Sequence, residues 1–292
     1  MQYFIADKNN PDYLLKELNK NEFDNLKCYH SAFLKFSNIY GCYKNFKVSE
    51  QKLKDFLENQ KFENSLDNLF YEMRYLFSAN ILLGRIFIDN VKSFVRQLNL
   101  KGLNTDIKSY EKRDELKMMK LLRDYSQHFS SPFDNLKQEV SFTEDTCRLE
   151  IYTSKKELSR NKNKNQRNDI FLNSLKNDVI PLTDYFYRWC ETLDEIIEKC
   201  KLHFLNFTSP QLKILISQYF SIKNYNNGKV TLNYPSYIKK VKNGIKTSFG
   251  FIAHDQTDEN YRFDRDTLEY LFSILPNFTA LPFSKRNNLS LH

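Results

Sequence analysis

The chain reads as mainly α: an antiparallel bundle of long helices with a β-hairpin insertion and a helical C-terminal half. Three observations carry this. Over residues 65–100 the apolar side chains Leu66, Leu69, Phe70, Met73, Leu76, Phe77, Ile81, Phe87, Ile88, Val91, Phe94, Val95 and Leu98 recur at three-and-four spacing, the mark of a helix whose wide apolar stripe faces a core. A second helical run over 106–130 follows the short segment Lys101-Gly102-Leu103-Asn104, and long helices joined by a short turn lie antiparallel. Only residues 138–153, with Val140, Phe142, Cys147, Leu149 and Ile151, show the alternation of a strand pair around Glu144-Asp145.

Taken in order, residues 1–8 suit a short strand or an ordered arm, and Asn10-Pro11-Asp12 a turn into a helix. From 13 to 64 the apolar positions Leu14, Leu15, Leu18, Phe23, Leu26, Tyr29, Phe33, Phe36 and Tyr40 keep helical spacing. Gly41 is expected to break this run, and Ser49 to cap the helix bearing Leu53, Phe56 and Leu57. Gly84 sits inside the long stripe, where a glycine costs about 1 kcal/mol relative to alanine, so a close helix contact is expected there. The second helix places Tyr110, Met118, Leu121, Leu122, Tyr125 and Phe129 on its apolar side and ends at Ser131-Pro132, because the residue before a proline avoids helical geometry. Residues 154–168 carry cations among Asn and Ser without apolar period and read as an exposed, mobile loop. Helix resumes over 169–205 with a break or kink at Pro181. Ser209-Pro210 opens another helix, Asn226-Asn227-Gly228 is a turn, 229–255 is ambiguous with strand-like alternation at Val230, Leu232 and Tyr234, and a last helix covers 266–275. The expected organisation is a helical core over 1–135, a hairpin and basic loop over 136–168, and a C-terminal helical region over 169–292 that completes the same domain or stands beside it.

A hydrophobic content of 41% with 15% aromatics excludes a disordered chain. Only Ala6, Ala32, Ala79, Ala253 and Ala280 represent alanine, so the core is expected to be built from Phe, Tyr, Leu and Ile. The net charge of +8 has two readings: lysine-rich solvated surface from an AT-rich coding sequence, or attraction to a polyanion. Cys28, Cys42, Cys147, Cys190 and Cys200 are odd in number, scattered and without a CxxC pair, which speaks for buried free thiols rather than a disulfide framework or zinc ribbon. The N-terminus has no basic segment followed by an apolar core, and no stretch has the length and composition of a membrane span. A cytoplasmic location without membrane partners is therefore expected. The sequence holds no Walker loop, GxGxxG, GxSxG, HxxxH or HExxH, so neither a metal site nor a cofactor is expected. His30, His203 and His254 fall in no such pattern.

The segment 118–132 does offer chemistry. Arg123-Asp124-Tyr125-Ser126-Gln127-His128 sets a cation, a polar neighbour and a histidine near a helix end. RNA is cut without a metal when its 2′-hydroxyl attacks the adjacent phosphorus. This needs a proton carrier near neutral pKa, which histidine supplies, and a fork of donors for the phosphoryl oxygens, which arginine supplies. Asp124 could hold Arg123 or bind a sugar. Five positions on a helix span about 140° around its axis, so Arg123 and His128 of one straight helix face different ways; a bent helix end or a second copy must unite them, as a two-fold dimer would. The competing reading is an ordinary helix end, with His128 near the last carbonyls and Arg123 in a salt bridge.

The string Leu122-Arg123-Asp124-Tyr125-Ser126-Gln127-His128 resembles the HEPN superfamily signature, an arginine, a polar residue and a histidine after four to six intervening positions. It is similar to the Leu-Arg-Asn-Tyr-x-Gln-His string of many bacterial helical proteins, with Asp124 replacing asparagine. The resemblance covers the motif helix and, loosely, the helix before it. It implies a helical, homodimeric, metal-independent endoribonuclease, often a toxin or phage-defence (abortive infection) effector held by an antitoxin or regulatory protein. Arg123 and His128 inherit the catalytic roles, Asp124 a supporting share in them, and Tyr125 and Gln127 supporting places. For RNA contacts the residues themselves offer Lys155, Lys156, Arg160, Lys162 and Lys164 in the basic loop, and Lys239 and Lys240 in a second basic stretch interleaved with Tyr225, Tyr234 and Tyr237. The alternative is a non-catalytic helical sensor or scaffold that binds nucleic acid or a protein partner. A further possibility is latent cleavage, triggered through residues 170–292.

Overall fold

The computed structural model describes residues 2–6, 14–59, 66–128, 131–141, 146–161, 166–211, 222–226, 229–233, 236–240, 259–261 and 263–272. In chain order its elements are β1 (Gln2–Ala6), β2 (Leu14–Leu18), α1 (Lys20–Glu58), α2 (Leu66–Gln97), α3 (Lys101–Tyr110), α4 (Asp114–His128), β3 (Asn135–Ser141), β4 (Thr146–Ser154), α5 (Lys155–Leu158), α6 (Gln166–Ser174), β5 (Val179–Pro181), α7 (Leu182–Phe207), β6 (Ile222–Asn226), β7 (Lys229–Asn233), β8 (Ser236–Lys240), β9 (Glu259–Tyr261) and α8 (Arg265–Phe272). The mainly helical class expected from the sequence holds, and in the C-terminal half α7 and α8 are accompanied by short antiparallel strands. Among the described residues, no helix is long and apolar enough to cross a membrane. The chain forms two compact units, one of Met1–Ser37 with Phe204–His292 and one of Asn38–His203.

In the first unit the sheet order is β2-β1-β8-β9, with β6 and β7 as a separate pair. The expected helix from residue 13 begins instead at Lys20. Asn19 and Glu22 explain this: the Glu22 backbone N–H donates to Asn19 Oδ1 at 2.8 Å, and the Asn19 N–H to Glu22 Oε2 at 2.9 Å. This reciprocal capping box fixes the first turn and leaves Leu14–Leu18 to pair with β1, Tyr3 opposite Leu18 and Ile5 opposite Lys16. Asp264 caps α8 by accepting from the Thr267 N–H at 2.9 Å. The core is aromatic, as the scarcity of alanine foretold: Phe36 stacks on Phe204 at 5.0 Å, Tyr29 lies 5.5 Å from Phe204, and Phe33 meets Phe263 edge-on at 4.9 Å.

In the second unit α1 runs without interruption past Gly41 and Ser49, so neither acts as the expected break or cap. A side chain at Gly41 would meet nothing within 4 Å, and Ser49 is buried in the helix. Helix α2 runs antiparallel to the α3–α4 arm. Lys92 pairs with Glu111, Asp89 with Arg123 further along, and Phe77 and Phe70 with Phe133 beyond. The turn after α2 is Leu98-Asn99 rather than the expected 101–104. Asn99 adopts a φ of 52°, and the N–H groups of Leu100 and Asn99 bond the carbonyls of Val95 and Arg96. This is a Schellman stop with asparagine in the left-handed position, and α3 starts directly after it. The expected single helix over 106–130 is divided at residues 111–113, where Arg113 forks onto Glu195 of α7 at 2.8 and 3.2 Å.

The hairpin is present, β3 and β4 pairing from Asn135 opposite Tyr152 to Ser141 opposite Thr146, and β5 adds a third strand. The helical run is broken before Leu182, as expected, with Pro181 the last residue of a strand rather than a kink inside a helix. The close contact expected at Gly84 is real: a Cβ there would lie 2.5 Å from Trp189 Cζ2 and 3.0 Å from Leu193 Cδ1 of α7. Cys190 and Cys200 are buried thiols, whereas Cys28 is exposed and Cys42 half-buried, because they fall on the outer flank of α1.

Candidate active site on α4

Helix α4 opens with Asp114 and Glu115 at its positive end. Leu116, Met118, Met119, Leu121, Leu122 and Tyr125 are buried, which turns Arg123, Asp124 and Gln127 to its flank. The helix is continuous to His128, so the angular separation of about 140° between positions 123 and 128 applies. The side chain of His128 lies outside the described residues.

Arg123 is oriented by its neighbour. Its Nε and Nη2 donate to Asp124 Oδ1 at 3.1 and 2.7 Å, and the other oxygen of Asp124 accepts from Asn168 Nδ2 of α6 at 3.0 Å. The acid is anchored from one side and holds the guanidinium from the other. Of the two roles open to Asp124 in the sequence, the geometry displays the first. Arg123 keeps 25% of its side-chain surface exposed, and its Nη1 lies 3.8 Å from Asp89 of α2. Tyr125, expected as a supporting residue, is buried and gives its hydroxyl to Glu157 Oε1 at 2.5 Å. Burial and this acceptor raise the phenol pKa well above its ordinary range, and the same bond, with Arg160, lowers that of Glu157. Gln127 is exposed.

The basic stretch expected as a mobile loop is largely built structure. Ser154 caps α5 by accepting from the Glu157 N–H at 3.1 Å, and Leu158, Asn161 and Asn168 are buried. The Glu157 and Asn168 contacts dock residues 154–161 and 166–168 against the motif helix. Its cations divide accordingly. Lys155 donates to the Leu175 carbonyl and Arg160 pairs with Glu157 at 2.9 Å, so both are engaged in the fold. Lys156 and Arg167 are exposed, and Lys162 and Lys164 lie outside the described residues. Lys239 and Lys240 belong to β8 of the other unit, opposite Tyr3 and Gln2; their side chains are likewise outside.

Besides Asn168, two residues of α2 that sequence reasoning passed over, Arg85 and Asp89, join the site. Arg85 of α2 is only 7% exposed and reaches Asp89 with Nη2 at 3.5 Å. Its Nε is buried with no hydrogen-bond partner among the described residues. The available signal was an arginine where the period of Ile81 and Ile88 calls for an apolar residue. On its outer side α2 exposes Tyr71, Tyr75, Leu82 and Ile86, which fall within an arc of about 60° that also contains position 89. Comparison with protein-family models, curated proteins and solved structures gives no match for this chain.

Proposed function

We propose that the chain is a HEPN-like, metal-independent endoribonuclease acting as a homodimer. The observation that carries the reading is the mounting of Arg123: a quarter exposed, and aimed by an acid that is itself anchored by Asn168. Such a cation can accept phosphoryl charge without reorganising at the moment of reaction. In the proposed reaction the 2′-hydroxyl of RNA loses its proton and attacks the adjacent phosphorus. His128 of the two chains handles the proton and Arg123 steadies the phosphoryl oxygens. The products are a 2′,3′-cyclic phosphate and a 5′-hydroxyl. Because α4 is one unbroken helix, the pairing of Arg123 with a histidine calls for a second copy, and the exposed apolar stripe of α2 leading to Asp89 offers it a surface. A chain that cuts RNA in its own cell suits a toxin or abortive-infection effector held by an antitoxin or regulatory partner.

The test is cleavage of RNA in EDTA. Wild type is expected to leave cyclic phosphate ends, Arg123→Ala to lose about 100-fold or more, and His128→Ala a similar factor. Undiminished cleavage by both folded variants would overturn the proposal. One observation favours the alternative scaffold reading: Arg123 already faces two carboxylates, Asp124 and Asp89. Under that reading the variants lose stability rather than activity.

A further inference from the structure

The exposed acid between two arginines points to a use. Asp89 Oδ1 lies 3.5 Å from Arg85 Nη2, and Asp89 Oδ2 lies 3.8 Å from Arg123 Nη1. Both contacts are at ion-pair distance and longer than good charged hydrogen bonds, which run at about 2.7–2.9 Å. Arg85 is almost wholly withdrawn from water, yet its Nε has no partner among the described residues. A buried guanidinium with an unfilled donor is expensive unless something completes it. Asp89 reaches only Nη2 of that guanidinium, at 3.5 Å, and it is the most exposed member of the cluster, at 54%. The arrangement is one anionic group, two oxygens, each turned to a different arginine fork: the pattern in which a phosphodiester would be gripped, since forks match phosphate oxygens.

We infer that Arg85 and Arg123 form a two-arginine clamp for an RNA phosphodiester, with the carboxylate of Asp89 resting in it as a stand-in for the phosphate. Arg85 is then a further substrate-binding residue, and Asp89 a built-in competitor that must swing toward solvent before RNA is gripped. The choice of RNA as the ligand rests on the ribonuclease reading; the clamp itself rests on the distances and burial around Arg85.

The experiment measures binding rather than cleavage. A fluorescein-labelled 2′-O-methyl RNA oligomer, which has no attacking hydroxyl, is titrated with the full chain and followed by anisotropy across a salt series. Asp89→Asn removes the competitor's charge and keeps its shape. Glu72→Gln, an exposed acid of the same helix, controls for the general gain of one positive charge. Asp89→Asn is expected to tighten binding about threefold or more beyond the control and to steepen the salt dependence by roughly one counterion. Arg85→Gln, if it folds, is expected to weaken binding by about tenfold. Equal behaviour of Asp89→Asn and the control overturns the clamp. So does unfolding of Asp89→Asn, which would make Asp89 a structural counter-ion, and so does failure of every form to bind. The two proposals part cleanly: tightening by Asp89→Asn in a protein that never cleaves RNA upholds the clamp and sinks the nuclease. Cleavage that needs Arg123 and His128 but ignores Asp89 does the reverse.

Discussion

The Asn38–His203 unit contains two clusters of two cations and two carboxylates, and they are built inside out relative to one another. Between α1 and α7, Glu50 is 4% exposed and takes Lys47 and Lys54 at 2.6 Å each, while Asp194 accepts from Lys47 at 3.2 Å and from the Tyr43 hydroxyl at 2.7 Å. There Glu50 is a buried anion with short contacts, Asp194 is 45% exposed at the edge of the cluster, and the lysine stems lead outward to water. Between α2 and α4 the buried member is a cation, Arg85, and the exposed one is the anion, Asp89, with contacts of 3.5 and 3.8 Å. Equal formal charge therefore gives opposite structures. The first cluster is closed, and its acid is needed by the fold. The second presents arginine donors behind an acid that solvent already reaches. The lesson is that which sign is buried, rather than how many charges are gathered, separates a brace from a site for an anion.

Removing the acid from each cluster breaks or sharpens this contrast most strongly. Glu50→Ala leaves Lys54 without its counter-ion and Lys47 with Asp194 alone. Loss of a buried partner costs about 3–5 kcal/mol when the remaining charge stays buried; the lysines are about one-third exposed and regain water, so a loss of about 2 kcal/mol is expected in urea unfolding. Asp89→Asn should cost about 1 kcal/mol, because Asp89 is 54% exposed and its contacts with the arginines are long. Equal losses at the two acids would erase the distinction.

The next effect compares the two sides of α2. Toward α7, Gly84 lies against the fully buried Trp189. Gly84→Ala gains roughly 1 kcal/mol of helix propensity, but its methyl would overlap an indole that has no room to withdraw. Overpacking of this kind costs about 1–3 kcal/mol, so a net loss of about 1 kcal/mol is expected in thermal or urea melts, with oligomer binding at the α4 side unchanged. A stabilised Gly84→Ala would mean that α2 and α7 can separate.

The long apolar periods of α2 and α7 and the alternation of β3 and β4 were legible because each follows one spacing over many residues. What misled was punctuation. Gly41 and Gly102 were read as breaks, but Asn99 had the left-handed conformation and the carbonyl-capping bonds, while Gly102 lies inside α3. Leu14, Leu15 and Leu18 fit a helix by spacing, yet the Asn19–Glu22 capping box and pairing with β1 made them a strand. At the site, Arg123 and Asp124 were legible as a local string. Arg85, Asp89 and Asn168 were not, because they reach the string from α2 and α6, and partners distant in sequence leave no period. The cations of 154–168 looked alike in sequence; only the structure separates Lys155 and Arg160, used in docking, from Lys156 and Arg167, which face water.

The smallest effect concerns how that docking is held beside the open cluster. The Tyr125 hydroxyl and Arg160 lower the carboxyl pKa of Glu157 from its ordinary value of 4.5. A carboxylate with a folded pKa below its unfolded one adds stability above the unfolded value and loses it as the pH falls through the folded one. Glu157→Gln keeps the shape and a weaker acceptor, so it should cost about 0.5–1 kcal/mol at neutral pH. In melts taken from pH 7 downward, the gap between wild type and Glu157→Gln should stay constant to about pH 5 and close below 4.5. A gap that persists in acid would assign the loss to packing around Tyr125. The charged bond would then not be what fastens residues 154–161 against the motif helix beside Asn168.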